Sequence, residues 1–401
     1  MIVTHGGKFL DGERGDCDLE VRRVLERARR KIIGGLTLGF VWACVGLRAE
    51  AALTQAPAMP ATSASAPVPV PAARWIAVPR LAGRITAKDL GLVINTADPY
   101  SVAVGEYYER ARKLAPQQVL RLQLPVRAAL TADEFQTLSA RIAAAFGPTT
   151  QALALAWVTP YAVNCNAITG ALALGYDASL CAHTCAASRV SRYFNAATLR
   201  PFTDLKMRPS MLLAARDVAG AKAMIDRGVG ADRSLGLRGG VPAQAYFVNT
   251  PDRARSARSV LFPPAGPLRR LGVDVHVEST QAIERIDHLF IYETGLPKVD
   301  KLDTLKWLPG ALADHLTSYG GQLTADSGQM SALDWIAAGA TASYGTVSEP
   351  CSHVQKFPHP QVLLQHYVQG SSALEAYWKS VAWPQQGVFI GEPLAAPFAR
   401  R

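Results

Sequence analysis

The sequence is short of charge. Asp, Glu, Lys and Arg make up only 18% of its 401 residues and 49% are apolar, which excludes disorder for most of the length and allows one large or two modest cores. An anchor-length apolar run is missing too. The segment Ile32–Leu47 is uncharged over sixteen residues, below the roughly 17–25 that a spanning helix needs. A Gly-rich phosphate loop is absent after the first predicted strand, where the chain reads NTADPYS at 95–101, and this excludes a nucleotide site there. Aromatic residues do not interleave the one basic cluster, Arg253, Arg255, Arg258, Arg269 and Arg270. That cluster is read as a solvated face, and nucleic acid is not expected as a partner.

What is present points to export. Arg27, Arg29, Arg30 and Lys31 precede the apolar run and Ala49-Glu50-Ala51 follows it, the order of a secretory signal with its cleavage site. The expected product starts near Ala52 in the periplasm or outside the cell. Residues 1 to about 25 lie far upstream of the signal, so translation is expected to start internally. A twin-arginine signal from Arg29-Arg30 and a lipidated Cys44 are minor alternatives. The formal net charge of +10 falls to about +8 once residues 1–51, with nine basic and seven acidic side chains, are removed. Four cysteines then remain, Cys165, Cys181, Cys185 and Cys351, and in an oxidising compartment they predict two disulfides of open connectivity. A metal site from Cys181, His183 and Cys185 is the competing idea; no cofactor or metal is expected.

Four regions are expected: an extension and signal peptide (1–51), an Ala/Pro/Ser-rich tether (52–80), an α/β lobe with a Cys-rich insertion (81–208) and a second α/β lobe (209–401). Apolar runs at Leu90–Thr96, Val119–Leu124 and Ala152–Val158 alternate with helical patterns. One helix opens on the capping box Thr131-Ala-Asp-Glu134. Continuous apolar strands alternating with helices predict a mostly parallel sheet covered on both faces. The middle, Asn164–Asp204, reads as a disulfide-braced insertion over a sheet edge. Further strands are expected at Pro209–Arg216, Ala243–Asn249, Leu271–His276, His288–Tyr292 and Ala340–Gly345, with helices over Val218–Gly228 and Val362–Gln369.

The segments VINTADPYSVAVGEYYERAR, RPSMLLAARDVAGAKAMIDRGV, LPGALADHLTSYGGQL, GATASYGTVSEPC, KFPHPQVLL and LEAYWKSVAWPQQGVFIGEPLAAPF resemble an uncharacterised exported bacterial family. That family occurs in genomes carrying exosortase, a membrane enzyme implicated in sorting exopolysaccharide-linked surface proteins. The resemblance covers about residues 88–399 and implies an envelope accessory or binding protein, with cell-envelope polysaccharide or the sorting machinery as partner. A more distant similarity to gingipain-like and caspase-like peptidase domains rests on strand order, the GATASYG turn and the terminal GEP. It implies a gingipain-like α/β architecture, with a hydrolase of rearranged site as the alternative activity.

Such a peptidase needs a His at the end of one strand and a Cys at the end of the next. Here HLFIY runs into Glu293-Thr294-Gly295, where His-Gly is expected, and HLTSYGG at 315–321 holds no Cys. Asp314, His315 and Ser318 are the candidate catalytic residues, although neighbours on a strand point to opposite faces and Asp314 cannot orient His315 by adjacency. Glu349, His353 and His359 form a second candidate group that could bind a ligand or ligate a metal, and Cys351 could pair with either His or join a disulfide. Asp98 and Glu106 lie near the end of the first strand, where open α/β sheets keep their crevice, and Asp98-Pro99 equally reads as a helix start.

Overall fold

The first strand, LGLVIN at 90–95, has all six residues buried, as a continuous apolar run requires when a sheet is covered on both sides. It belongs to a computed structural model that describes residues 74–237 and 239–400. The expected signal, its cleavage site and the tether up to 73 lie outside the described residues. Fourteen strands occur among them: β1 Leu90–Asn95, β2 Val119–Leu122, β3 Ala129–Leu130, β4 Ala152–Leu155, β5 Ala162–Val163, β6 Asn166–Ala167, β7 Ser210–Leu212, β8 Ala243–Asn249, β9 Gly266–Leu268, β10 Val273–Ser279, β11 Leu289–Thr294, β12 Trp307–His315, β13 Ala342–Thr346 and β14 Gly387–Gly391. Eleven of them make one sheet in the order β2-β1-β4-β7-β14-β13-β12-β11-β8-β10-β9, and β3, β5 and β6 make a small second one.

The large sheet is mostly parallel and flanked by helices. Its direction reverses once in the middle: β2, β1, β4, β7 and β14 run together, β14 meets β13 antiparallel, and β13, β12, β11, β8 and β10 run together the other way. The short edge strand β9 is antiparallel to β10. Two parallel half-sheets therefore lie side by side with their carboxyl ends at opposite edges. Within each, four strands repeat one winding: β2-β1-β4-β7 in the first and β10-β8-β11-β12 in the second. The sheet does not part at residue 208, since β7 and β14 complete the half begun by β1.

Local signals hold where they were sharp. Thr131 caps the Ala132–Ala145 helix, its hydroxyl accepting from the Glu134 amide (3.3 Å) while the Glu134 carboxylate accepts from the Thr131 amide (2.8 Å). Among the elements that were not anticipated, two are central to the core. The first is the long part of β12 before Ala313, hidden by Pro309 and Gly310. These residues lie where the β11–β12 register shifts, a bulge that tolerates Pro and a Gly at φ 87°. The second is the helix Ala373–Ser380, whose Glu375 and Lys379 suggest a solvent face although all eight residues are buried. Its Trp378 stacks on Phe389 of β14 with ring centroids 4.3 Å apart; burying a side chain the size of Phe contributes roughly 1.5–3 kcal/mol.

The insertion departs from expectation in position. Its helix Ile168–Leu174 covers β14 and β7 at the sheet centre rather than an edge, with the Thr169 hydroxyl donating to the Gly387 carbonyl at 2.5 Å. Gly170 sits so close to the Gln385 carbonyl that a side chain would collide with it. The four cysteines form two disulfides, Cys165–Cys181 within the insertion and Cys185–Cys351 tying it to the loop after β13, with Cα separations of 5.2 and 5.6 Å. No helix among the described residues is long and apolar enough to cross a membrane.

Candidate functional site

The polar residues gather at the carboxyl ends of β11 and β12. Glu293 and Asp314 are register partners on these strands, so their carboxylates share one face, and like charges opposed in this way repel. The guanidinium of Arg258 resolves the conflict. It comes from the helical turn Arg255–Leu261 after β8 and is only 1% exposed. Its Nη1 lies 2.5 Å from Asp314 Oδ1 and 3.0 Å from Glu293 Oε2, and its Nη2 donates to the Thr294 carbonyl at 3.0 Å. Arg258 thus leaves the basic cluster that was read as a solvated face. The signal that could have found it is a carboxylate closing each of two apolar strands, FIYE and ALAD, because a buried acid needs a cation. Burial raises the Glu293 carboxyl well above its ordinary range and Arg258 offsets this only in part; burial also raises Asp314. Asp314 holds the shorter bond to Arg258.

His315 lies on the opposite face of β12, as strand alternation demands. It ends the strand, and it is fully buried. The Trp335 indole N–H donates to its Nδ1 at 2.9 Å and its Nε2 faces the Met330 carbonyl at 3.1 Å. An acceptor Nδ1 and a donor Nε2 define a neutral imidazole, and burial lowers its pKa to about 3. Both nitrogens are engaged inside the core, so His315 has no free position from which to take a proton from Ser318. The structure brings Asp314, His315 and Ser318 together in sequence only.

The crevice over β11 is filled by backbone. Gly295 follows Thr294, and a Cβ there would run into the Arg255 carbonyl, so only Gly permits this approach. The Arg255 guanidinium pairs with Asp252 at 2.7 Å and donates through Nε to the Thr317 hydroxyl at 3.3 Å, while Thr317 donates to Gln329 Oε1 at 2.7 Å. Gly320, Gly321 and Gly345 seal the next gap by backbone contact between the β12–β13 connection and β13.

The second candidate group is dispersed. Glu349 is buried and its carboxylate accepts from the amides of Cys351 (3.2 Å) and Ser352 (2.8 Å), which shapes the loop around the disulfide. Its neighbour Lys356 lies 3.8 Å away and donates to the Thr184 carbonyl across the insertion. The His353 ring faces Trp383, and His359 lines a separate cavity of about 190 Å³ with Phe194, Leu261 and Phe357. Cys351, bonded to Cys185, offers no thiol. Among the described residues no three His, Cys, Asp or Glu side chains are grouped to hold a metal. In the first half-sheet Asp98 caps the Pro99–Ala111 helix, accepting from the Tyr100 amide at 3.0 Å, and Glu106 is exposed on that helix.

No protein-family model matches the chain, and no curated protein does. Among solved structures it is distantly similar to the crystal structure of the Arg specific cysteine proteinase gingipain R. The two share 8% identity over 78% of each chain, at a TM-score of 0.36.

Proposed function

We propose that this chain is an exported cell-envelope protein that acts by binding, as an accessory component, and not by hydrolysis. The closed crevice supports this reading most: the Arg255 backbone lies on Gly295, Thr294 stands where a peptidase of this topology needs its His, and Thr317 is tied between Arg255 and Gln329. A general base must reach the proton it abstracts. His315, two residues before Thr317, is neutral and has both nitrogens occupied. The two disulfides fit an oxidising compartment. The family resemblance directs the search for a partner to cell-envelope polysaccharide and surface-sorting components.

The test is to assay the purified mature protein against chromogenic peptide, ester and glycoside substrates, with Ser318→Ala as control. No turnover above background is expected. Turnover that Ser318→Ala abolishes would overturn the reading in favour of a hydrolase with a rearranged site.

A further inference from the structure

The chain before β1 crosses one face of the Pro360–Val368 helix and is held there almost wholly by its main chain. Gln361, Gln365 and Gln369 are spaced by four and therefore share a helix face. Gln361 treats the segment as a neighbouring strand would. Its Oε1 accepts from the Ile76 amide at 2.6 Å and its Nε2 donates to the Arg74 carbonyl at 3.2 Å. Gln365 donates to the Ile76 carbonyl at 3.0 Å, and Gln369 accepts from the Leu81 amide at 3.2 Å. From the insertion, Asn195 adds a bond to the Ala77 carbonyl at 3.1 Å. Between residues 74 and 84 no side chain is buried, and Trp75 is 39% exposed. The first buried anchor is Ile85. Every hydrogen bond made to residues 74–81 uses groups that any extended residue except Pro possesses.

We propose that this glutamine-lined face is a binding site for an extended polypeptide main chain, with residues 74–84 as its resident, displaceable occupant and an extended segment of another polypeptide as its ligand. Main-chain reading of this kind gives affinity without demanding a particular sequence. Covalent connection gives the resident segment an effective concentration on the order of millimolar, so a free peptide competes poorly until the resident is weakened. The inference does not depend on whether the β11–β12 crevice is catalytic.

The experiment uses a fluorescein-labelled peptide of the sequence of residues 74–85 and the full mature chain. Ile76→Pro with Leu81→Pro removes the two amides that bond Gln361 and Gln369. This variant is expected to bind the peptide at least tenfold more tightly than the unsubstituted protein, and a scrambled peptide is expected to bind within about threefold of the original. Adding Gln361→Ala, Gln365→Ala and Gln369→Ala should return binding to the weak level. Absence of binding to the folded proline variant, indifference to the glutamine changes, or loss of binding on scrambling would each overturn the proposal. Should the proline variant fail to fold, hydrogen exchange on the unsubstituted protein decides. Saturating peptide should speed exchange of the Ile76 and Leu81 amides at least tenfold, and unchanged exchange would overturn the proposal.

Discussion

The two half-sheets leave their first strands in the same way and then diverge. The first reads Asn95-Thr-Ala-Asp98-Pro-Tyr-Ser101 and the second Asn249-Thr250-Pro-Asp252-Arg-Ala-Arg-Ser256. In both, a Ser hydroxyl accepts from a strand-end amide six residues earlier, Asn95 at 2.8 Å and Thr250 at 3.0 Å, and an Asp carboxylate accepts from an amide of the turn, that of Tyr100 or Arg255. After that the strand end of the first half stays neutral; its own buried ion pair, Arg112 with Glu392 at 2.5 Å, involves the far end of the following helix. Asn95 closes its end by bonding both the amide and the carbonyl of Leu124, and an α-helix follows. The second half inserts Arg255 and Arg258 and sets acids beneath them. One backbone solution thus serves a neutral seal at one edge and a buried ionic cluster at the other, and the ionic edge is the more sensitive to perturbation.

The largest break in that comparison is Arg258→Leu. It leaves Glu293 and Asp314 buried without their cation, and losing one partner of a buried ion pair costs about 3–5 kcal/mol. Ser101→Ala at the neutral edge removes one hydrogen bond and should cost about 1 kcal/mol. Urea unfolding of both variants measures the contrast; equal losses would show that the two edges are energetically alike.

Acid provides the next contrast. His315 is neutral in the folded state with a pKa lowered from 6.5 to about 3, and His366, beside Asn195, behaves likewise. A His depressed on folding binds its proton more readily unfolded, so stability falls as pH drops below 6.5 toward 3. Each such His contributes about 1.4 kcal/mol per pH unit in that window. His315→Gln should remove its share of the slope whatever it does to absolute stability, and an unchanged slope would show that the imidazole is free to protonate. Glu293 works in the opposite sense. Its carboxyl is raised, so the folded state favours the proton and stability falls as pH climbs above the ordinary Glu value of about 4.3. Glu293→Gln should therefore gain on the unsubstituted protein from pH 5 to 8, a smaller effect read from the same unfolding curves.

The difference between the edges also explains what the sequence could disclose. Apolar runs such as Leu90–Asn95 and Ala152–Leu155 and the Thr131–Glu134 box announce themselves because burial and capping are local. The reversal at β13–β14 is not local, since it depends on residues near 342 and 390 meeting. Arg258 looked like a surface cation because its acids lie 35 and 56 residues away in the chain. The cysteine count gave two bonds but not the pairing, which depends on where the insertion lies on the sheet. His315 and Asp314 invited a catalytic reading by adjacency, and the strand pleat sends them to different cores.

The smallest effect sharpens the comparison most. Asp98 and Asp252 occupy like turns, and removing such a cap costs about 1 kcal/mol, so Asp98→Ala and Asp252→Ala should destabilise to a similar extent at moderate salt. Their responses to ionic strength should differ. Asp98 accepts only from the Tyr100 amide. Burial pushes the Asp252 carboxyl up, but the Arg255 amide and guanidinium outweigh it and hold the pKa below its ordinary value. That ion pair, with both side chains about one-quarter exposed, is screened by salt. Raising NaCl from 0.05 to about 1 M shortens the Debye length to about 3 Å and should shrink the cost of Asp252→Ala by a few tenths of a kcal/mol while leaving that of Asp98→Ala unchanged. Parallel salt responses would mean that Arg255 is held over Gly295 by its backbone and by Thr317, and that the charge on Asp252 is incidental to closing the crevice.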